Sequence, residues 1–306
     1  MMSDQKALFI SIIIPVYNDS KRLYKCLNAL EHQNYPQGLY EIIVIDNNST
    51  ENVELVTAQF KHVKLDREAT PGSYAARNKG IALAKGDILA FIDSDCIPVA
   101  NWLEQGVKTL ESEAADLVGG EVTFTFSSRK SLAEVYDSVT NMQIKQNIAT
   151  RQVSKTANLF VRKHVFDSVG MFPSGLKSGG DVIWTKAATD AEFKLVYSPT
   201  AQVYHPARKL IPLLKKQYRV GTGQPDIWLE QGQTLKQIFL NSLNSFRPPS
   251  PKDIRRFAEE RDITDAKERF FLFWLTAWLY NTATNLGRIN NVIEKAISTK
   301  RSNYTT

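Results

Sequence analysis

Cysteine and histidine are scarce in this chain of 306 residues, which contains 2 and 4 of them. The two cysteines, Cys26 and Cys96, make neither a disulfide framework nor a zinc-binding pattern, so we expect a reducing, cytoplasmic compartment. No charged-then-apolar leader precedes the first apolar run. No apolar stretch reaches the ~20 residues of a membrane-spanning helix, and the longest, residues 270–280, is about half that length. A secreted disulfide scaffold, a zinc module and a transmembrane protein are therefore not expected.

Internal repeats and low-complexity tracts are also lacking, and a content of 43% hydrophobic and 23% charged residues is that of an ordinary folded protein. The net charge of +6 is unevenly placed. From His205 onward there are 17 Lys/Arg against 9 Asp/Glu, a net of +8, which leaves −2 for the rest. A basic tail suits an anionic partner such as phospholipid headgroups, although a merely solvated surface is the plain alternative.

The first third of the chain alternates strand-like and helix-like segments. A β-branched strand buried on both faces is predicted at 10–15, and further strands at 41–46, 63–65 and 88–92. An amphipathic helix is predicted at 22–33, and further helices at 54–60 and 75–84. Strands that alternate with helices at this spacing predict an α/β fold, a doubly wound, mostly parallel, Rossmann-like sheet.

The remainder is less regular. Residues 116–126 are predicted to form a strand pair broken by Gly119-Gly120, and two short strands are expected at 194–197 and 201–205. A helix is expected at 182–188 after the turn Ser178-Gly179-Gly180-Asp181. Beyond residue 206 the sequence predicts basic, amphipathic helices.

Two carboxylates follow the predicted strand at 88–92, in the pattern Phe91-Ile92-Asp93-Ser94-Asp95. The carboxyl edge of an open α/β sheet is where such proteins bind ligands. Oxygen ligands at this edge suit Mg²⁺ or Mn²⁺, which usually bridge to the phosphates of a substrate. The pattern therefore indicates a nucleotide diphosphate site.

Several segments taken together resemble family 2 of the nucleotide-sugar-dependent glycosyltransferases, which have the GT-A fold. The resemblance covers residues 11 to about 219, and its motifs occur in the expected order. They are Ser11-Ile12-Ile13-Ile14-Pro15-Val16-Tyr17-Asn18, Ile45-Asp46-Asn47-Asn48-Ser49-Thr50, Ala75-Ala76-Arg77-Asn78-Lys79-Gly80, Asp93-Ser94-Asp95, Gly179-Gly180-Asp181 and Gln217-Tyr218-Arg219. The resemblance implies a GT-A catalytic domain at 1–206, with a nucleotide-binding half at about 1–100 and an acceptor half at about 101–206, and a helical extension at 207–306.

The resemblance also implies roles around the nucleotide. Asp95 would coordinate the metal that bridges the two phosphates, while Asp93 would lie nearer the ribose or the water shell of the metal. Asp46 would accept from a base N–H, and an Asx-turn in the following loop is the alternative for it. Arg77 would lie near the base and phosphates. The base pocket would be lined by Pro15, Val16 and Tyr17.

Asp181 is the candidate general base. In the family this turn carries an acidic pair whose Asp removes the proton of the acceptor hydroxyl as the sugar is transferred with inversion. Here Gly180 stands in place of the first acidic member. The alternative role for Asp181 is the N-cap of the following helix.

Four further residues are weaker candidates. His205 would be a second metal ligand, since imidazole suits Mn²⁺. Arg219 lies in a degenerate form of the motif that holds the glycan in processive synthases, and it would contact the diphosphate. Trp184 and Asn158 are candidate acceptor contacts, with core packing as the alternative for the tryptophan.

The sequence thus predicts a metal-dependent, inverting glycosyltransferase that uses a nucleotide sugar, first of all a UDP-sugar, and a glycan or lipid-linked acceptor in surface polysaccharide or glycolipid synthesis. A nucleotidyltransferase of sugar phosphates and an inactive sugar-nucleotide-binding scaffold remain the alternatives. Residues 208–216 and 267–280 join basic and apolar character, which favours a peripheral position on the inner face of the cell membrane, internal packing or a homodimer contact. No nucleic acid partner is expected, because no binding module is visible.

Overall fold

Two units make up residues 8–303, the part of the chain that this structure, a computed structural model, describes, with side chains to residue 298. The first, here called the sheet unit, comprises residues 8–125, Met142–Gly175 and Gly180–Pro206. The second, here called the helical unit, comprises Phe126–Asn141, Leu176–Gly179 and residues 207–303.

All the strands found among the described residues lie in the sheet unit. They are β1 (Ile10–Val16), β2 (Tyr40–Asp46), β3 (Val63–Arg67), β4 (Ile88–Ile92), β5 (Ile97–Pro98), β6 (Leu117–Thr125), β7 (Asn158–Arg162) and β8 (Leu195–Pro206). They form one sheet in the order β3-β2-β1-β4-β7-β6-β8-β5. The β1, β2, β3 and β4 neighbours are parallel, as are β6 and β8, while β7 is antiparallel to both of its neighbours.

The helices in chain order are α1 (Ser20–Glu31), α2 (Glu54–Thr57), α3 (Ser73–Leu83), α4 (Trp102–Ser112), α5 (Leu132–Thr140), α6 (Ile144–Arg151), α7 (His164–Val169), α8 (Gly180–Asp190), α9 (Leu210–Glu230), α10 (Leu235–Asn244), α11 (Pro251–Glu260), α12 (Thr264–Glu268) and α13 (Phe270–Asn303). The predicted doubly wound α/β fold with a helical C-terminal part is confirmed. The sheet is mixed, however, because β7 reverses direction in its middle.

The parallel half follows the sequence prediction closely. Every residue of β1, β2 and β4 is buried, as expected of β-branched strands covered on both faces. β1 pairs with β4 only over Ile10–Ile13, whereas its pairing with β2 continues to Val16 and Asp46. Pro15 therefore lies beyond the β4 ladder, where its missing N–H costs no hydrogen bond on that side.

The second half corrects two sequence predictions. Residues 117–125 form one strand rather than a strand pair, and the register against β8 shifts between Gly120 and Glu121. A Cβ on Gly120 would lie 2.2 Å from the Ala201 carbonyl oxygen, so the glycine permits a close backbone approach at a bulge and is not a turn. The two short strands predicted near the end of the unit are likewise one strand, β8.

The helical unit has its own apolar core. The helical unit contains α5, α9 and the helices from α10 to α13, of which α13 is the longest at 34 residues. Leu213, Phe273 and Ala277 are fully buried there, and the Tyr136 ring packs edge-on against Phe273. The apolar segment predicted at 270–280 is thus the first third of a helix that packs within this unit. Among residues 8–303, no helix is long and apolar enough to cross a bilayer.

Candidate active site

The strand order brings the predicted motifs to one edge of the sheet. β1 lies between β2 and β4, so the chain crosses β1 on its way from β3 to β4 and makes a topological switch point there. A crevice opens at such a point outside the carboxyl ends of the strands. Asp46 ends β2, and Asp93 follows β4 directly. The structure therefore brings together acidic groups that lie 47 positions apart in the sequence.

Asp93 is held by a buried arginine. The Arg77 Nη2 donates to Asp93 Oδ1 at 2.5 Å, and Arg77 is only 4% exposed. Arg77 is therefore not a solvent-facing helix residue. Its Nε is buried and has no hydrogen-bond partner among the described residues. A buried arginine that neutralises the first acidic group of the pair reduces the cost of clustering carboxylates at this edge.

Asp95 and His205 come together through strand pairing. β5 follows the acidic turn at once and runs antiparallel to β8, with Ile97 opposite Tyr204. This register places the fully buried imidazole of His205 beside Asp95, with its Nε2 3.5 Å from Asp95 Oδ2. The two side chains are 110 residues apart in the sequence, and only the sheet topology makes them neighbours.

The donor set fits a divalent cation. Neighbouring ligands of an octahedral ion at about 2.1 Å lie about 3 Å from each other, close to the Asp95–His205 separation. Carboxylate oxygen and imidazole nitrogen together suit Mn²⁺. The Cys96 thiol also lies within 4.8 Å of these atoms. Burial, reinforced by Asp95 and Asp93, raises the pKa of this thiol, so it stays protonated and is a poor ligand for a hard cation.

Asp19 is a member of this cluster that the sequence reasoning missed. Its Oδ1 accepts a 2.6 Å hydrogen bond from Arg22 Nε, and its Oδ2 lies 3.4 Å from the Ser94 hydroxyl. Burial raises the pKa of Asp19, with a smaller contribution from Asp95 and an opposing one from Arg22. An acidic residue three positions beyond the end of β1 was the available signal, because β1 ends at the same edge as β4.

Asp46 has both a local and a distant partner. Its Oδ1 accepts from the Ser49 N–H at 3.0 Å, as an Asx-turn does, and its Oδ2 lies 3.4 Å from Arg67 Nε. The next residue, Asn47, was also missed. Its amide donates to the carbonyl oxygens of Glu68 and Thr70 and accepts from the Gly72 N–H, so it fixes the segment that enters α3.

The three predicted base-pocket residues lie at the end of β1. Pro15 and Val16 are buried in the strand, whereas Tyr17 is 62% exposed at its end. The following residue, Asn18, has a positive φ of 49°. Its side-chain oxygen accepts from the Thr50 N–H at 2.8 Å, which ties the loop after β1 to the loop after β2. An exposed aromatic ring beside a buried acid is a suitable surface for a nucleotide base.

Asp181 lies in the first turn of α8, which begins at Gly180, so it is not the N-cap residue. Its carboxylate is half-buried and accepts from the Tyr74 hydroxyl at 3.0 Å and from the Thr156 N–H at 3.4 Å. Both donors belong to the sheet unit. The turn therefore leaves Asp181 accessible and orients it with groups from distant parts of the sequence.

Packing and backbone hydrogen bonds engage two of the predicted acceptor contacts. Trp184 is 2% exposed, stacks on Phe166 with ring centroids 4.3 Å apart, and donates its indole N–H to the Gly170 carbonyl. Asn158 is fully buried, and its amide donates to the carbonyl oxygens of Glu121 and Ala201 across the β6 bulge. Core packing, the alternative given for the tryptophan, therefore describes both side chains in this structure.

Arg219 lies in α9, within the helical unit, and its side chain is exposed. Its neighbour Gln217 is 2% exposed and accepts a 3.5 Å hydrogen bond from Thr284 of α13. The first residue of this predicted motif thus stabilises helix packing, while the arginine is accessible to an anion.

A cleft of about 430 Å³ lies in the sheet unit between the carboxyl half of β6 and the start of α6. Glu121 and Val122 line it on the strand side, and Met142 and Lys145 on the helix side. β6 runs parallel to β4, since both are antiparallel to β7. The cleft therefore lies toward the same edge of the sheet as the acidic cluster.

Comparison with known proteins shows which family this chain resembles. Residues 11–168 match the model of glycosyl transferase family 2. Glycosyltransferase AglE of Haloferax volcanii is 44% identical over 297 residues, which cover 93% of this chain and 96% of that protein.

Two solved structures share the fold. The S. aureus TarS 1-349 complex with UDP-GlcNAc has a TM-score of 0.52 at 21% identity and covers 66% of this chain, which spans 59% of that one. The mannosyltransferase PcManGT from Pyrobaculum calidifontis, in complex with GDP-Man and Mn²⁺, has a TM-score of 0.57 at 15% identity, with 96% of this chain and 76% of that one covered. With the family model and the extended similarity to AglE, the chain belongs to glycosyltransferase family 2 and has the GT-A fold.

Proposed function

We propose that this enzyme transfers a sugar with inversion from a nucleotide diphosphate sugar to an acceptor hydroxyl. The observation that supports the proposal best is the convergence of Asp46, Asp93, Asp95 and His205 at the switch point of one sheet. The donor we propose first is a UDP-sugar. The acceptor is a glycan or a lipid-linked glycan of a surface polysaccharide or glycolipid, reached from the cytoplasmic side of the cell membrane. Residues 1–206 carry the catalysis in this proposal, and 207–306 form the basic extension.

The donor is held by the loops after β1 and β2. Asp46 accepts from a base N–H with the carboxylate that Ser49 and Arg67 orient. Tyr17 offers an exposed ring to the base. Asp93, fixed by Arg77, lies toward the ribose. The exposed Arg219 is the proposed additional contact to the diphosphate, since a guanidinium group matches phosphate oxygens.

Asp95 and His205 are the proposed ligands of a divalent cation, Mn²⁺ or Mg²⁺. Such a cation, when bound, stabilises the negative charge that develops on the leaving diphosphate as a Lewis acid. Asp19 and Arg22 lie next to Asp95, with Arg22 Nη1 3.8 Å from Asp95 Oδ2. In this proposal, the oppositely charged side chains of Asp19 and Arg22 set the electrostatic potential beside Asp95 as the diphosphate binds and leaves.

Asp181 is the proposed general base. It is half-buried, lies in the first turn of α8, and accepts hydrogen bonds from the Tyr74 hydroxyl and from the N–H groups of Thr156 and Val182, which fix its orientation. It accepts the proton of the acceptor hydroxyl as that oxygen attacks the anomeric carbon and the bond from the anomeric carbon to the phosphate oxygen breaks. The cleft beside β6 is the proposed acceptor site, with Glu121 and Lys145 as its polar groups.

A donor panel separates this function from the two alternatives. UDP-, GDP- and dTDP-sugars are each incubated with and without Mn²⁺, and release of the nucleoside diphosphate is followed. The proposal expects turnover with one donor, stimulated by the metal. Pyrophosphate release from a nucleoside triphosphate and a sugar phosphate would identify a nucleotidyltransferase instead. Binding of a donor by calorimetry with no turnover under any condition would identify the inactive scaffold.

The stereochemistry has its own test. NMR of the transferred sugar gives the anomeric configuration of the product, which the proposal expects to be opposite to that of the donor. Retention of configuration would overturn the single displacement and the role of Asp181 in it.

The exposed side of α13 supports the expected homodimer. Phe271, Leu272, Leu286, Ile293 and Ile297 are about half exposed or more, and they fall on one stripe of the helix. The stripe lies opposite the buried Phe273 and Ala277. Residues 270–287 carry no charged side chain. The spacings of seven and four from Leu286 to Ile293 to Ile297 suit a second, similar helix.

Two measurements distinguish a second copy from a lipid surface. Light scattering coupled to size exclusion gives the mass of the particle, and co-sedimentation with anionic vesicles gives membrane binding. The proposal expects a dimer that the double substitution Leu286→Glu and Ile293→Glu converts to a monomer. A monomeric wild type that binds vesicles would favour the peripheral membrane role instead.

A further inference from the structure

The inference concerns Tyr74, a residue of α3 that lies outside the predicted motifs, and it rests on the function proposed above. Tyr74 is 5% exposed, and its hydroxyl donates to Asp181 Oδ1 at 3.0 Å. Burial, with the nearby charge of Asp181, raises the pKa of the phenol far above neutrality. The phenol is therefore the donor in this hydrogen bond, and the carboxylate is the acceptor.

Gly180 makes this contact sterically feasible. A Cβ on Gly180 would lie 2.9 Å from the Tyr74 ring, so any other residue there would press on the phenol. The sequence departs from the usual acidic pair at this position, and the structure supplies the reason: the tyrosine ring occupies the space that the first acidic side chain would need. Tyr74 and Gly180 are a matched pair, 106 residues apart.

The same helix also orients the donor side of the site. Arg77 lies one turn after Tyr74, with its guanidinium carbon 5.7 Å from the centre of the Tyr74 ring, and it holds Asp93. Asn47 fixes the segment that enters this helix through the Gly72 N–H. One rigid helix therefore carries the donor to Asp181 and the donor to Asp93.

We propose that Tyr74 is a positioning residue, whose hydroxyl fixes the Asp181 carboxylate so that its second oxygen receives the proton of the acceptor. Oδ2 has the longer contact of the two, 3.4 Å from the Thr156 N–H, and it is the oxygen left for the reaction. Because Tyr74 and Arg77 share α3, the helix also sets the distance between the base and the nucleotide. Tyr74 does not exchange a proton with the substrate.

Tyr74→Phe is the central test, since it keeps the ring that packs beside Phe172 and removes only the hydroxyl. The assay follows UDP release from the UDP-sugar with water as acceptor. Loss of a hydrogen bond to a charged group predicts a fall in kcat of about ten- to a hundredfold, with the donor KM and Tm unchanged. The pH profile of kcat is expected to differ from that of the wild type as well, because the Asp181 carboxylate loses the hydrogen bond from the Tyr74 hydroxyl.

Tyr40→Phe is the matched control. Tyr40 is also buried, and its hydroxyl donates to the Leu30 carbonyl at 3.2 Å, away from the proposed site. Its kcat is expected to equal that of the wild type. A double-mutant cycle adds a second readout: in an Asp181→Asn background, Tyr74→Phe has no further effect if the tyrosine acts through Asp181.

The outcomes separate the two proposals. If Asp181→Asn abolishes turnover and Tyr74→Phe matches the wild type in kcat and pH profile, the positioning role is overturned and the base assignment stands. If Asp181→Asn is fully active, the base assignment itself fails. A readout independent of turnover is the carboxyl ¹³C resonance of Asp181, assigned by its loss in Asp181→Asn. We expect its chemical shift at pH 7 to change in Tyr74→Phe, which removes the hydrogen bond to this carboxylate, and to stay at the wild-type value in Tyr40→Phe; identical shifts in Tyr74→Phe and the wild type would overturn the proposal.

Discussion

Glu134 in the helical unit and Asp181 in the sheet unit are both hydrogen-bonded carboxylates, but their donors come from very different distances along the chain. Glu134 is almost fully buried and accepts four hydrogen bonds from Ser127 and Ser131, no more than seven residues away. Asp181 is half-buried and, besides the adjacent Val182 N–H, accepts from Thr156 and from Tyr74, which are 25 and 107 residues away. The difference indicates that Glu134 has a structural role, whereas Asp181 is suited to the proposed catalytic role. The hydrogen bonds from nearby serines to Glu134 complete a capping box. The hydrogen bond from the distant Tyr74 orients Asp181, which is still partly exposed to solvent.

The largest effect is expected from the acid with distant donors. Asp181→Asn keeps an oxygen that can accept from Tyr74 but removes the basic site, so we expect kcat to fall by about 10²–10⁴-fold. The donor affinity, measured by calorimetry, and the Tm are expected to stay at wild-type values. A large fall in Tm would mean that Asp181, like Glu134, is needed for structure.

A smaller loss is expected at the proposed metal site. Asp95→Asn removes the charge of one proposed ligand, so Mn²⁺-dependent binding of a UDP-sugar should weaken by at least the roughly 10–100-fold that the loss of an outer-shell partner costs. Calorimetric titrations with Mn²⁺ and with EDTA measure the effect. Asp87→Asn is the control, because Asp87 precedes the other end of β4 and accepts from the Phe9 N–H. Equal metal dependence in the wild type and Asp95→Asn would refute the ligand assignment.

Glu134→Gln tests the other side of the comparison. Although burial opposes ionisation, the hydrogen bonds from Ser127 and Ser131 lower the pKa of Glu134 to about 2. The folded pKa lies below the unfolded value, so this stabilisation is complete above about pH 4.5 and is lost as the pH falls toward 2. We expect Glu134→Gln to lower the free energy of unfolding at pH 7 by about 1–3 kcal/mol.

Urea titrations at pH 7 and at pH 3 measure this change. The difference between wild type and Glu134→Gln should shrink at the lower pH, while donor binding stays the same. Glu260→Gln is the matched control, since Glu260 is exposed on α11 beside Arg256, and it is expected to change the stability little. A pH-independent difference would show that the charge of Glu134 is not the cause.

The smallest effect is expected at Arg67, which is exposed to solvent and is distant in sequence from its partner Asp46. Arg67 lies 3.4 Å from Asp46 and is 71% exposed. Exposed ion pairs contribute at most about 1 kcal/mol, so Arg67→Ala should change the KM for the donor by no more than about fivefold. Asp46→Asn is the comparison variant and should raise that KM further. A larger effect of Arg67→Ala would mean that the arginine itself contacts the nucleotide.

Local sequence patterns predicted the parallel half of the sheet well. The strands β1, β2 and β4 and the acids at their ends were placed correctly, because β-branched runs are buried on both faces wherever they occur. The same reasoning failed at Gly119-Gly120, which was interpreted as a turn. A glycine required by close approach of a distant backbone has the same local sequence as a glycine required by a turn.

Sequence reasoning proposed the acidic residues of the candidate site but not the neighbouring residues that hydrogen-bond to them or lie beside them. A carboxylate that follows a predicted strand or lies in a predicted turn indicates a ligand-binding or catalytic group from the sequence alone. This pattern identifies Asp46, Asp93, Asp95 and Asp181. The sequence does not indicate a role for Asp19, Asn47 or Tyr74, because the role of each depends on its contacts with residues that are distant in the sequence. Trp184 and Asn158 show the converse: their residue types are typical of sugar contacts, and only their burial shows a structural role.

The sequence by itself determined the family, the alternation of strands and helices, and the acids at the carboxyl edge of the sheet, since these depend on short-range periodicity and on motifs read in order. The tertiary structure alone decided that His205 meets Asp95, that Arg77 holds Asp93, and that Tyr74 occupies the space left by Gly180 to reach Asp181. The physical reason is that a hydrogen bond or an ion pair acts over about 3 Å, whereas the order of strands in a sheet decides which residues, a hundred positions apart, come within that distance.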